Sequence, residues 1–367
     1  VFNDLAKEHN DETVQKLPQI SFYAHPQSLF KTPFFYGLTS SYTNFWRVQG
    51  INTQRWDLSP QVSYPMRLLN ILKLESNVGL RETLYRPYDD PTGQLRGWKS
   101  RETLTAGIDV STEFYRVYGT TSVVKISNLF NVAKWMHTIE PMVGYRYSPP
   151  VNQNLLPLFD EVDRIPYTNQ ITYGIIQRLI GRPLKEGAEY GPFEYARFMI
   201  FQNYSLGDPF ERDSSGNGRY LSNIQAELWW YFTPYIYAKW DAEFNPYRGN
   251  FDILNGLVNV KDRRNDAVQI EYRFTKDNIH EINLYTRVKT ISPLYLYGAI
   301  RYNLLEKTRV ENIYGAEYQG QCFTLGMTVE DINQSPDGTQ KKELKFQVYL
   351  HLRGIGSVGQ KSFFMTL

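Results

Sequence analysis

Apolar and polar residues alternate along this chain with a period of two, and a strand with two unlike faces is what that pattern builds. Between Asn52 and Tyr64, the residues Trp56, Leu58, Pro60, Val62 and Tyr64 take even positions, while Arg55, Asp57, Ser59, Gln61 and Ser63 take odd ones. Leu72, Leu74, Val78, Leu80 and Leu84 alternate in the same way with Lys73, Glu75, Asn77, Gly79, Arg81 and Thr83. Further runs carry Leu104, Ala106, Ile108 and Val110, then Ile139, Val143, Tyr145 and Tyr147, then Val268, Ile270, Tyr272 and Phe274 on one face. About 17 such segments can be counted, many near the ~9 to 11 residues that a tilted strand needs to cross a bilayer. Helical spacing appears nowhere with comparable strength. No stretch approaches the ~18 to 20 uninterrupted apolar residues of a membrane helix, which excludes a helical membrane protein.

Composition sharpens this reading. The mean hydropathy of −0.46 looks soluble, yet it averages two faces of opposite character. The 28 Tyr, 21 Phe and 7 Trp make an aromatic excess, placed near strand ends in the manner of an interfacial girdle. With 40 Lys and Arg against 38 Asp and Glu, the chain gives no electrostatic case for nucleic acid or for a polybasic membrane patch. A large soluble sandwich or propeller also alternates. It would need a second sheet against its apolar face, and no blade repeat is present. The expected fold is therefore all-β: a transmembrane antiparallel β-barrel of the outer-membrane type, as one domain over residues 1–367.

The polar stretches 86–100, 148–167, 181–193 and 206–220 read as long loops, whereas Phe232-Thr233-Pro234 and Gln319-Gly320 read as tight turns. Long loops on one rim and short turns on the other suit such a barrel. Its polar face would line a lumen holding Arg55, Asp57, Glu75, Arg81, Asp109, Glu113, Lys239, Asp241, Glu243, Glu271, Arg273, Lys345 and Arg353. Charge of both signs fits a hydrated interior or a docked plug better than an ion-selective pore. For any single residue, simple solvation explains the charge equally well.

Chemistry is sparse. The five histidines lack the short spacings of a metal site, and no nucleophile elbow, P-loop or dinucleotide fingerprint occurs. No catalytic, cofactor or metal residue is assigned, and the chain reads as a non-enzyme. The start at Val1, with neither an initiator Met nor a signal peptide, reads as a mature or truncated fragment. The single cysteine, Cys322, cannot staple the chain to itself. Its thiol is either incidental or paired with a cysteine elsewhere. Strand parity places its turn on the periplasmic rim if the tail after Gly359 is periplasmic, a compartment that permits disulfides. The final strand, Glu343 to Arg353, carries the strongest alternation, with Phe346, Val348, Leu350 and Leu352 on its apolar face. A last strand must pair with the first to leave no open edge in lipid.

Several stretches are similar to the C-terminal barrel of the LPS-assembly protein LptD family, also called the organic solvent tolerance proteins. They are LPQISFYA at 17–24, INTQRWDLSPQVSYP at 51–65, VGLRETLYRPYD at 78–89, HTIEPMVGYRYSP at 137–149 and FDEVDRIPYTNQITYGIIQRL at 159–179. The series continues with EYARFMIFQNYSL at 194–206, GAEYQGQCFTLGM at 315–327 and FQVYLHLRGIGSVG at 346–359, in family order over almost the whole chain.

The resemblance implies a 26-stranded barrel, within the range that outer-membrane barrels span, preceded by a periplasmic jellyroll and plugged by the lipoprotein LptE. About 17 strands here would make an incomplete barrel, with roughly nine strands and the jellyroll outside the chain. Such proteins take lipopolysaccharide from a periplasmic bridge and deliver it to the outer leaflet through an opening between first and last strands. Outer-membrane lipid and the barrel-assembly machinery are further implied partners, and the bacterial outer membrane the implied location. By the same resemblance, Cys322 matches a family site that bonds to cysteines of the periplasmic domain, although Gln321 stands where many members have a second cysteine. Residues 343–353 match one side of the lateral gate. The alternative function is a porin-like diffusion channel for small solutes. A structural or adhesive outer-membrane protein is a third reading.

Overall fold

The computed structural model describes residues 12–91, 93, 95–119, 132–154, 156–183, 191–233, 235–264, 266–333, 343–354 and 356–358. Their strands are antiparallel, and they fall into two compact units, Val1–Glu113 with Glu140–Gly174 and Gln202–Ser222, and Phe114–Ile139 with Ile175–Phe201 and Asn223–Leu367.

In the first unit, β1 (Gln15–Ser28), β2 (Phe35–Trp46), β3 (Asn52–Leu68), β4 (Leu72–Asp89) and β5 (Lys99–Thr112) form consecutive hairpins. The strand β6 (Phe114–Gly119) belongs to the second unit, and β7 (Val132–Ser148) is shared. The part of β7 within the first unit pairs with β5. Two further strands, β8 (Thr168–Pro183) and β9 (Phe193–Ser205), are also shared between the units. The polar stretch 206–220, expected as a plain loop, contains the two-residue pair β10 (Glu211–Arg212) and β11 (Gly218–Arg219).

In the second unit, a ladder runs from β9 through β12 (Ile224–Thr233), β13 (Ile236–Asn245), β14 (Asn250–Lys261), β15 (Ala267–Thr275) and β16 (Ile279–Ile291). It continues through β17 (Leu294–Asn303), β18 (Thr308–Gln319), β19 (Phe323–Ile332), β20 (Glu343–Leu352) and the short β21 (Gly356–Val358). With β5 and β6 counted as one traverse, and the pair β10–β11 and β21 set aside, the described strands make 17 traverses, as the alternation predicts.

Register gathers each face into rows. Tyr36, Val62, Val78, Ala106 and Tyr147 stand side by side across β2, β3, β4, β5 and β7. Ser41, Asp57, Thr83 and Arg101 form a row on the opposite face. The burial of these faces is inverted relative to a soluble sheet. Leu80 is 58% exposed and Val348 66%, whereas Arg55 and Asp57 are 2% and 3% exposed. A sheet that buries its charges and bares its leucines is built for an apolar solvent on that side.

Loop lengths follow the expected division in the first unit only. There, 90–98 and 149–167 lie at one end of the strands and the tight 69–71 turn at the other. In the second unit, from β13 to β19, the hairpin turns at both ends span two to five residues. A hairpin needs only enough chain to reverse direction, so length is free to vary where nothing must be covered. Pro234 of the expected 232–234 turn, and most of the expected 181–193 loop, lie outside the described residues.

Candidate functional site

The connection 149–167 folds back on the polar face of β1 to β5 and is fastened there. At its centre a 3-10 turn, Glu161–Asp163, is closed by a reciprocal cap. Asp160 Oδ1 accepts from the Val162 N–H at 3.1 Å, and Asp163 Oδ2 accepts from the backbone N–H groups of Phe159 and Asp160 at 2.8 and 3.3 Å. This leaves Asp163 Oδ1 to face the sheet. It accepts from Arg55 Nη1 at 2.8 Å and from the Tyr85 hydroxyl at 2.6 Å. Asp160 is held by both terminal nitrogens of Arg55, at 2.6 and 3.1 Å, and by Lys16 Nζ at 2.7 Å.

The other contacts complete a strap. Arg101 Nη2 donates to the Val162 carbonyl at 2.7 Å and to Thr83 Oγ1 at 3.0 Å, while its Nη1 donates to Gln153 Oε1 at 3.2 Å. Gln153 bonds in turn to both backbone groups of Ile165. The Phe159 ring stacks on Phe45 with centroids 4.3 Å apart, and the Arg55 guanidinium lies 4.8 Å from the Phe45 centroid. Burial by itself would raise the Asp160 carboxyl, but the hydrogen bonds from Arg55 and Lys16 outweigh it and hold the group at about 2. Two carboxylates against Arg55, with Lys16 and Arg101 alongside, make this a charge-matched clasp.

Of the residues expected on the polar face, Arg55 and Asp57 sit in or beside this clasp. Arg81 grips Asp57 through two bonds of 2.8 and 2.9 Å. Further along, Arg146 grips Asp109 at 2.9 and 2.6 Å, Glu75 stands opposite Asp109 in register, and Glu113 meets Lys73 at 2.9 Å. In the second unit, Lys239 lies over the Trp229 ring at 4.7 Å, Asp241 accepts from Asn255 at 2.7 Å, and Glu243 stands opposite Gln225. Glu271 accepts from Asn283 at 3.1 Å and Tyr285 at 3.2 Å, and Arg273 meets Glu281 at 3.6 Å. These charges are thus spread along both units, some in ion pairs and others beside neutral polar or aromatic neighbours. Sequence reading missed Asp160, Asp163, Tyr85 and Arg101; the only available signal was a carboxylate pair spaced by three within a Pro-rich connection.

The last long strand is β20, with Glu343 and Lys345 on its polar face and Phe346, Val348, Leu350 and Leu352 bearing the apolar alternation. Arg353 lies one residue past it, in the turn, where its N–H bonds the Cys322 carbonyl at 2.9 Å. The expected strand is therefore one residue shorter, because the chain reverses there so that β21 can pair with Leu350–Leu352. Cys322 is exposed, in the three-residue turn between β18 and β19.

Residues 1–308 match a family model described as LptD, LPS transport system D. Over 363 residues the chain is 23% identical to an LPS-assembly protein LptD of Nitrosospira multiformis, covering 94% of this chain and 37% of the relative. A Shewanella frigidimarina protein of the same name is 22% identical, with 95% of this chain and 49% of the relative covered. The chain spans about a third to a half of the length of the curated relatives it matches. Among solved structures, the copper transporter OprC aligns over 92% of this chain and 62% of its own, with 10% identity and a TM-score of 0.35.

Proposed function

Because this chain belongs to the LptD family, LPS transport system D, and so to the integral β-sheet proteins of the bacterial outer membrane, we propose that it serves lipopolysaccharide transport and assembly at the outer leaflet. The observation that carries this reading is the inverted burial of its strands, a bared apolar face backed by a polar one on which ion pairs such as Arg55–Asp163 and Arg287–Glu317 are buried. An amphiphile with acyl tails and charged sugars has the same division. Its tails can stay in hydrocarbon while its sugars follow the polar face, which avoids burying charge in lipid. Residues 1–367 are then part of one barrel domain whose polar face lines the lumen, and the strap 149–167 covers that face near the loop ends of β1 to β5.

In this reading β20 forms one side of a lateral gate that opens toward the membrane, and the partners are lipopolysaccharide, a lipoprotein plug of the LptE kind, a periplasmic bridge and the barrel-assembly machinery. Cys322, exposed at the turn end of β18, is disulfide-bonded to a cysteine of the periplasmic part of the intact protein. Photocrosslinking from polar-face positions such as Thr105 and Asn255 of the intact protein in cells tests the transport reading. Lipopolysaccharide adducts at both positions are the expected result. A stable ion-conducting pore in planar bilayers without such adducts would instead favour a porin-like diffusion channel.

A further inference from the structure

Two tyrosines lie flat over glycines near the end of the ladder, and together they tie five strands into one panel. In register, Tyr349 of β20 stands opposite Gly326 of β19, which stands opposite Glu317 of β18, then Tyr295 of β17 and Lys289 of β16. The next row holds Gln347, Thr328, Gly315, Tyr297 and Arg287. A Cβ at position 326 would come within 2.1 Å of the Tyr349 ring, and one at 315 within 2.1 Å of the Tyr297 ring. Each glycine is the slot that lets a ring cross its neighbour strand. Having crossed β19, the Tyr349 hydroxyl donates to Glu317 Oε2 on β18 at 2.7 Å, and the side chain is 1% exposed. Glu317 also accepts from Gln319, and from Arg287 Nη2 of β16 at 3.3 Å. Tyr297 crosses β18 in the same way, and its hydroxyl donates to the Met327 carbonyl of β19 at 3.3 Å.

Toward β19, ten residues of β20 are in register and Tyr349 adds a charge-assisted bond that reaches past β19 to β18. Toward the other side, the described pairing is three residues of β21. We propose that Tyr349 is a positioning residue that locks β20 onto the β16–β20 panel, so that β20 and the panel move as one rigid lip during lipid release and the β19–β20 seam stays shut. This rests on the transport reading above, in which β20 is one side of the gate, and adds the residue that holds its β19 seam closed.

The test uses the full-length protein in cells, with lipopolysaccharide arrival at the surface, amount of folded barrel in the outer membrane, and amide exchange of β19 and β20 read together. Tyr349→Phe removes only the hydroxyl. It should leave barrel amount unchanged, speed exchange at the β19–β20 seam by roughly tenfold, the factor that a hydrogen bond to a charged acceptor represents, and slow surface arrival. Cysteines replacing Thr328 and Gln347, which face each other across the seam, are then bridged. Bridging should leave arrival unchanged with Tyr349 present and restore it in Tyr349→Phe, a rescue that a merely structural role for the ring would not give. Arrival blocked by the bridge in the Tyr349 protein overturns the proposal, as does Tyr349→Phe with unaltered exchange and arrival. If depletion of the protein leaves surface lipopolysaccharide untouched, the transport reading fails instead, and the exchange result still reports on the lock.

Discussion

Arg55 and Asp163 meet at 2.8 Å with side chains 2% and 0% exposed, joining a connection to a strand 108 positions away. A pair so withdrawn from water is costly to break from the Arg55 side, because Asp163 would be left without its cation, whereas Arg55 also has Asp160. Asp163 also closes its own turn, so the same carboxylate shapes the connection and fastens it.

Replacing Asp163 by alanine should cost about 2 kcal/mol of strap anchorage, because Arg55 keeps Asp160 while the buried Tyr85 hydroxyl and the Phe159 N–H lose their acceptor. Limited proteolysis of the folded protein in detergent would show new cleavage between residues 149 and 167, with the sheet's circular dichroism unchanged. Equal protection in the variant would mean that the Phe45–Phe159 stack and Arg101 suffice to hold the strap.

Acid should loosen the same strap. The Asp160 value is lowered from 3.8 to about 2. A lowered carboxylate contributes stability that is fully present above its ordinary value and is lost as pH falls through the folded value. The linkage comes to about 2 kcal/mol, at ~1.4 kcal/mol per pH unit. Proteolysis of 149–167 should be flat down to about pH 4 and rise between about pH 4 and 2. In Asp160→Asn the rise attributable to this group should vanish.

Leu80 is 58% exposed and sits in the alternating apolar set of β4. On a soluble protein, a polar residue there would change stability by no more than ~0.5 kcal/mol. Facing lipid, Leu80→Arg should cost about 2–4 kcal/mol if it lies near the bilayer midplane. The folded fraction recovered in lipid vesicles, read by heat-modifiable gel mobility, distinguishes these outcomes. Full recovery would count against a lipid-facing Leu80.

For Cys322, the intact protein should run differently on a non-reducing gel from its Cys322→Ser variant, and the two should coincide after reduction. Identical mobility without reductant would remove the disulfide from the account. The exposure of Cys322 in its turn gives an incoming thiol access, since exchange proceeds by attack on an accessible sulfur.

Strand content and face assignment were legible because a strand's side-chain period is two and each residue announces its face by its own chemistry. Parity alone puts Arg55 and Leu80 on opposite faces, and the pairing of β3 with β4 keeps them there. Nothing local to Tyr349 says that a tyrosine will find a glycine opposite it and a glutamate one strand further. Asp163 was hidden for a related reason, since a connection's polar residues look solvated until something shows where the connection lies.

The sequence by itself determined that this chain is antiparallel β with one apolar and one charged face, and the order of its motifs determined its family. Only the tertiary structure decided that the 149–167 connection is clasped by Arg55, Tyr85 and Arg101, and that β20 is braced through Gly326 to Glu317. The division is physical. Periodicity is a property of consecutive residues and survives in the string, whereas the clasp and the brace depend on register between segments tens to a hundred positions apart, which strand pairing fixes and no local pattern records.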